Sequence, residues 1–356
     1  MVRSKMAKPP ITANQVTLLR LVLLPIGALL MYHGVAAKWA AFGFMTILGC
    51  TDFVDGWLAR RYGSTELGRL MDPIADKVFV MVGYMPFIDL KWLPAWQIGL
   101  FLLREYVITG LRSAYERRHI SPRTTLLAKI KAWAQMAGCG VIFMFQMVPE
   151  RAMLIALIAG TAVALLCILV RYVVKRVFWW GALIFGGWVA ALLLPQLLYG
   201  SAAATSSLMG SIILITWMSG WGYVTPVGPL LWQRQLDASD WVRILGGIAV
   251  PVVLLLAQAG GELPTWAIML TMGLELAAGG LDNLLCFHRA QSSAVGWGVR
   301  TGLVALLGGL ALRGGELGAP LMYAACAISV VGTGLEFYRG RRLYLEEPTR
   351  VVVRPD

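Results

Sequence analysis

Residues 51–77 read TDFVDGWLARRYGSTELGRLMDPIADK. Four carboxylates, Asp52, Asp55, Asp72 and Asp76, fall within 25 residues, with long apolar runs before and after them. A three-residue spacing puts Asp52 and Asp55 on one helix face, and a four-residue spacing does the same for Asp72 and Asp76. The stretch RRYGSTELGR between them reads as a turn that folds the second helix back beside the first, so that all four acids converge. Carboxylates at the edge of a membrane span are costly to bury. They mark either a salt-bridge cluster with Arg60, Arg61, Arg69 and Lys77 or a site. Four acids at helical spacing, with Gly56, Ala59 and Arg60 interleaved, favour a site.

The surroundings fix the class. Of the 356 residues, 58% are hydrophobic and 14% charged, too little polar surface for a soluble chain. A helical span takes about 20 apolar residues. Such runs recur near 15–34, 37–58, 73–90, 94–111, 126–147 and 152–170, then near 179–199, 206–226, 242–259, 264–286, 296–313 and 317–337. The expected fold is all-α and polytopic: a six-helix bundle in residues 1–178, followed by about six further transmembrane helices in 179–356. A small polar turn, GSAAATS, is expected at 200–206, between neighbouring helices of the second set.

The formal charge of +12 would point to nucleic acid in a soluble protein. Here the cations gather in alternate loops, the pattern of membrane topology, and nucleic acid is not an expected partner. They stand at Arg3, Lys5 and Lys8; Arg60, Arg61 and Arg69; Arg112, Arg117, Arg118, Arg123, Lys129 and Lys131; Arg171, Lys175 and Arg176; and Arg339, Arg341 and Arg342. Loops 33–38 and 149–151 carry few. Both termini are therefore expected on the cytoplasmic face of the inner membrane, with the first span serving as insertion signal. Cys50, Cys139, Cys167, Cys286 and Cys326 all fall in apolar runs without CxxC spacing, and read as small buried residues.

Four unneutralised carboxylates would repel one another, and divalent cations are their natural partner. Oxygen ligands without His or Cys favour Mg²⁺ or Mn²⁺. Two ions about 3.5–4 Å apart suit displacement at phosphorus. Gly56 and Ala59 remove bulk on the same face, Arg60 brings a cation to where phosphate oxygens would sit, and Gly68 allows close helix approach ahead of Asp72.

The pattern Asp52-x2-Asp55-Gly56-x2-Ala59-Arg60-x7-Gly68-x3-Asp72-x3-Asp76 resembles the signature of the CDP-alcohol phosphotransferases, with a turn one residue shorter than usual. The resemblance covers about residues 10–175 and implies a six-helix membrane fold with its site open to the cytoplasm, usually in a homodimer. It implies that Asp52, Asp55 and Asp72 are metal ligands and that Asp76 is both ligand and general base. It implies further that Gly56, Ala59 and Arg60 line the CDP site.

Upstream, Asn14-x2-Thr17-x2-Arg20 precedes Pro25. Asn14 and Thr17 read as caps of the first helix and Arg20 as an interfacial, snorkelling side chain. Because the leading segment borders the nucleotide site in the family, Thr17 is added as a CDP contact. Downstream, Arg104-Glu105 with Thr109-Gly110-Leu111-Arg112, and Lys129-Ile130-Lys131 with Gln135-Met136, look like the phosphatidylglycerophosphate synthase branch, although Ala132 stands where that branch has Thr. This implies CDP-diacylglycerol as donor and sn-glycerol 3-phosphate as acceptor, its phosphate held by Arg104, Arg112, Lys129 and Lys131. Arg104 lies inside an apolar run and needs a reason to be there; Glu105 is expected to point elsewhere. Arg117, Arg118 and Arg123 read as interfacial anchors.

Two other readings compete. One is a family member making cardiolipin, phosphatidylinositol phosphate or phosphatidylserine. The other is an ion-coupled transporter, which twelve spans would suit; acids at a membrane edge fit a nucleotide better than a midplane passage. The second half has no carboxylate cluster, yet it echoes the first. Trp39 and Asp55 match Trp266 and Asp282 at an offset of 227, and Pro25 matches Pro251 within one residue. At that offset Asp52, Asp72 and Asp76 fall on Gly279, Val299 and Leu303. A degenerate repeat with a packing or docking role is the expectation, its Gly246-Gly247 and Gly279-Gly280 runs suiting close helices.

Overall fold

The computed structural model describes residues 12–62, 66–118, 126–176, 179–225, 229, 236–260, 262–287 and 294–342. Regular structure among them is helical throughout. Twelve helices follow in order: α1 (Ala13–Leu30), α2 (Val35–Tyr62), α3 (Glu66–Asp89), α4 (Ala95–Arg117), α5 (Leu126–Met147), α6 (Glu150–Lys175), α7 (Trp180–Ala191), α8 (Leu193–Val224), α9 (Ala238–Gly260), α10 (Thr265–Phe287), α11 (Ala294–Ala311) and α12 (Gly318–Arg341). Seven of the described helices, α1, α5, α6, α8, α9, α10 and α12, are long and apolar enough to cross a membrane. The chain is an all-helical polytopic membrane protein.

Contacts divide the chain into two compact units, Met1–Ala128 with Trp217–Asp356, and Lys129–Thr216. In the first unit α1 packs on α2 and α3, while α9 and α10 pack on α4, and α10 also on α3. The α4–α9 contact is close because glycine faces backbone on both sides. A Cβ at Gly110 would stand 3.0 Å from the Arg243 carbonyl oxygen, and one at Gly247 3.2 Å from that of Tyr106. Tyr106 also donates to the Met272 carbonyl of α10 at 2.8 Å. Helix α4 is accordingly buried along most of its length, including Arg104 and Glu105. That enclosure suits a helix whose charges are poorly matched to lipid.

In the second unit small residues bring α6 and α7 together, with Gly186 against Ala164. Gln146 donates to Thr205 at 3.1 Å and Trp188 to Ser211 at 2.8 Å. The turn expected at 200–206 is a single break. Gly200 takes φ 77°, and residues 201–206 are already helical. The Glu150 carboxylate accepts from the Ser201 N–H at this break (3.2 Å) and occupies the space a Gly200 side chain would need.

Three local expectations are corrected. Helix α1 is capped by Thr12, in a reciprocal box with Gln15, so Asn14 and Thr17 lie inside the helix. The five cysteines are free, but only Cys286 and Cys326 are buried; Cys50 and Cys167 are exposed. Arg117 and Arg118 are not simple anchors, since they form ion pairs with Asp237 and Asp240 ahead of and within the start of α9. Arg3, Lys5, Lys8 and Arg123, the side chain of Arg69 and residues 63–65 of the 51–77 stretch lie outside the described residues.

Candidate active site

Helices α1, α2 and α3 meet at the four aspartates. Asp52 and Asp55 end the apolar run of α2, and Asp72 and Asp76 follow the first turn of α3. What joins them is α1. Arg20 and Thr17, three residues apart and therefore on one face, are both fully buried. Arg20 Nη1 donates to Asp52 Oδ1 at 2.8 Å. Its Nη2 lies 3.6 Å from Asp55 Oδ2 and 3.5 Å from Asp76 Oδ1. The Thr17 hydroxyl is within hydrogen-bond reach of Asp55 (3.1 Å) and Asp72 (3.3 Å). One guanidinium and one hydroxyl thus connect all four carboxylates.

Only half of this arrangement is visible in the sequence. The convergence of the acids follows from their spacing. Their partner does not: Arg20 reads as snorkelling outward, and the structure turns it inward. The signal for it is a cation inside an apolar helix, ahead of four acids. Of the cations weighed as structural partners, Arg61 stacks over Trp57 and Tyr62, and Lys77 donates to Thr109. Arg60 is exposed, and its Nη1 lies 3.4 Å from where a Cβ on Gly56 would stand. The Arg60 guanidinium thus lies along the helix surface beside Gly56. Ala59 is half-buried on the same helix, and Gly68 is buried in the first turns of α3.

The chemistry of the donor set fits a hard divalent cation: several carboxylate oxygens from two adjacent helices, facing one space. That space holds a positive group, the Arg20 guanidinium. Nε and Nη2 of Arg20 are buried without a hydrogen bond, although Nη2 keeps its ionic contacts. As the side chains lie, no three acidic, His or Cys groups among the described residues are arranged to hold one metal ion.

The residues assigned to the acceptor phosphate have separate surroundings. Arg104 is buried and donates to Ser219 at 2.9 Å and to Glu105 at 3.2 Å, so Glu105 does not point elsewhere. Arg112 is half-exposed and paired with Glu116 at 3.0 Å. Lys129 and Lys131 begin the second unit, Lys129 exposed and Lys131 half-buried.

Comparison with known proteins fits this geometry. The profile of the CDP-alcohol phosphatidyltransferase family matches residues 10–188. A Mycobacterium tuberculosis protein described as a probable phosphatidylglycerophosphate synthase is 38% identical over 137 residues, 36% of this chain and 64% of the relative. The CDP-diacylglycerol–glycerol-3-phosphate 3-phosphatidyltransferase of Bacillus subtilis is 29% identical over 145 residues, 37% of this chain and 75% of the relative. The enzyme of that name from Rickettsia typhi is 34% identical over 136 residues, with 37% and 75% covered. No solved structure matches the chain. The matched segment contains all four aspartates together with Thr17 and Arg20, and on that segment the chain belongs to the CDP-alcohol phosphatidyltransferase family.

Proposed function

We propose that the chain transfers a phosphatidyl group from CDP-diacylglycerol to sn-glycerol 3-phosphate, giving phosphatidylglycerophosphate and CMP. The convergence of Asp52, Asp55, Asp72 and Asp76 at the junction of α1, α2 and α3 is the observation that supports it. The names of the relatives support the donor and acceptor. The acceptor hydroxyl attacks the phosphorus bonded to diacylglycerol, the bond to the CMP oxygen breaks, and CMP leaves. Asp76 takes the hydroxyl proton as general base. Arg60, with Gly56 and Ala59 leaving space beside it, holds the pyrophosphate, and Gly68 and Thr17 border the same nucleotide site. Asp52, Asp55, Asp72 and Asp76 would hold two Mg²⁺ or Mn²⁺ ions, which neutralise charge on the pyrophosphate. Arg104, Arg112, Lys129 and Lys131 are the candidates for the acceptor phosphate; of these Arg104 is buried and bonded to Glu105 and Ser219. The site and both termini face the cytoplasm, and a homodimer is the expected assembly.

The experiment is CMP release from CDP-diacylglycerol by purified protein, with each acceptor in turn. Glycerol 3-phosphate should support turnover; free glycerol and serine should not. A preference for serine, inositol phosphate or phosphatidylglycerol would move the chain to another branch of the family. Absence of CMP release with every acceptor, from folded protein in Mg²⁺ and in Mn²⁺, would overturn the reading. Arg112→Ala and Lys131→Ala should raise the KM for glycerol 3-phosphate about tenfold, as expected for a lost hydrogen bond to a charged group.

A further inference from the structure

Helices α11 and α12 pack together and leave a groove of 460 Å³ between them, within the size range of ligand pockets. Its walls are apolar, including Val299, Leu303, Ile328, Val331 and Leu335. Arg300, Glu336 and Arg339 also line it. None of these residues belongs to the aspartate site.

Arg300 is only 6% exposed. Its Nη1 donates to Glu336 at 2.8 Å, and its Nε lies 3.4 Å from Glu275, whose carboxylate accepts from Ser329 at 2.7 Å. Gly332 gives the side chain passage, since a Cβ there would overlap the Arg300 stem. Nη2 is buried and has no hydrogen-bond partner. An unmet N–H on a buried guanidinium is costly, and costlier still where lipid rather than water surrounds the helix. Arg339 follows Glu336 by one helical turn and is exposed, with Arg341 and Arg342 just beyond. Among the described residues, the charged lining of the groove is Arg300, Arg339 and Glu336, with Arg341 and Arg342 following at the end of α12.

We propose that the groove is a binding site for a membrane phospholipid with an anionic headgroup. One acyl chain lies along the apolar walls. The phosphate meets Arg339 at the membrane edge, next to the Arg300–Glu336 pair that lines the groove. The combination selects the occupant. A soluble anion would gain nothing from the apolar wall, and a zwitterionic lipid brings no net charge to the surplus of arginine. A bound lipid would tie α11 to α12, and through Arg300 to Glu275 of α10, which packs on α3 and α4. The proposal is independent of which acceptor the aspartate site uses.

The test uses the full chain, stripped of lipid in detergent. Thermal unfolding is followed with dioleoyl-phosphatidylglycerol, dioleoyl-phosphatidylcholine, inorganic phosphate or glycerol 3-phosphate, and native mass spectrometry counts retained lipid. Phosphatidylglycerol should raise the midpoint by several degrees, with one molecule retained; the other three should not. Arg339→Gln, on an exposed position, should weaken the effect about tenfold in lipid concentration. Ala327→Phe, which fills the groove without removing a charge, should abolish it. Asp52→Asn should leave it intact, which separates this site from the aspartate site. Equal shifts with both lipids, a shift with either free phosphate, or a phosphatidylglycerol effect that survives Arg339→Gln would each overturn the proposal. If Ala327→Phe does not fold, the lipid comparison and Arg339→Gln still decide it.

Discussion

Replacing Arg20 by Met should make the fold depend on a divalent cation. The guanidinium is fully buried and is shared by Asp52, Asp55 and Asp76. Only Asp55 is buried to a similar depth; the Asp52 and Asp76 side chains are 38% and 47% exposed. The Asp55 contact therefore carries most of the weight. Removing one partner of a buried pair costs about 3–5 kcal/mol, and the 3.6 Å separation argues for the low end. Asp52 is screened and adds less, while the Asp76 oxygen that meets Arg20 is itself buried and adds to the Asp55 contact. A loss of about 3 kcal/mol corresponds to a fall of roughly 6 °C in Tm for a chain at the upper end of the usual size range. The assay is thermal unfolding in detergent, in EDTA and over a Mg²⁺ titration. In EDTA the variant should unfold about 6 °C below wild type. Mg²⁺ should recover most of that, because binding to the folded state at about 100 times its Kd contributes about 2.7 kcal/mol. It should also act at lower concentration than in wild type, where the ion competes with Arg20. Wild-type unfolding of the variant in EDTA would refute the structural role, and indifference of the variant to Mg²⁺ and Mn²⁺ would refute the shared cation space.

Three further outcomes follow. Asp52→Asn, Asp55→Asn and Asp72→Asn should each remove nearly all turnover from folded protein, and Asp76→Asn should lower turnover by about 10²–10⁴ while CDP-diacylglycerol binding is retained; wild-type turnover in any of the four would reject its assignment. Arg117 donates to Asp237 in the segment before α9 and holds its carboxyl well below the usual carboxylate range. A folded-state pKa lower than the unfolded one stabilises above about pH 4 and is lost as pH falls further; since Asp237 is half-exposed, the Tm gap between wild type and Asp237→Asn should be small, constant from about pH 8 to 5, and shrink only in stronger acid. Asp282→Asn should lower stability, because it breaks a buried pair with Arg243 at 2.6 Å, yet leave specific activity of the folded fraction near wild type; altered metal dependence in that variant would reveal a second site.

The sequence is most informative where the physics is local. Helical spacing puts Asp52 with Asp55 and Asp72 with Asp76, and apolar run length marks the helices. It is least informative where partners come from far along the chain. Arg20 is 32 residues from Asp52, and Arg117 is 120 from Asp237. Nothing local says that the two will meet. Arg104 shows the same limit from another side. Its neighbour Glu105 is expected to diverge, yet both belong to a buried cluster completed by Ser219, 115 residues from Arg104. The GSAAATS stretch misleads for a simpler reason: small polar residues tolerate helix as well as turn, and only Gly200 leaves the helical conformation.

Charge balance separates the aspartate cluster of the first half from the Arg243–Asp282 pair of the second. In the first half one arginine of α1 faces four aspartates. In the second, Arg243 of α9 faces Asp282 of α10 at the place that corresponds to Asp55, and it binds both carboxylate oxygens, at 2.6 and 3.1 Å. The positions matching Asp52, Asp72 and Asp76 hold Gly279, Val299 and Leu303. A single acid met by a bidentate arginine is neutral and satisfied. It can brace α9 against α10, and with them the backbone contacts on α4, but it has no charge left to attract another cation. Around Arg20 the carboxylates outnumber the one guanidinium that meets them. That excess is costly in a folded membrane helix bundle unless a further cation shares it. The same excess supports the proposal that phosphoryl chemistry belongs to the first half.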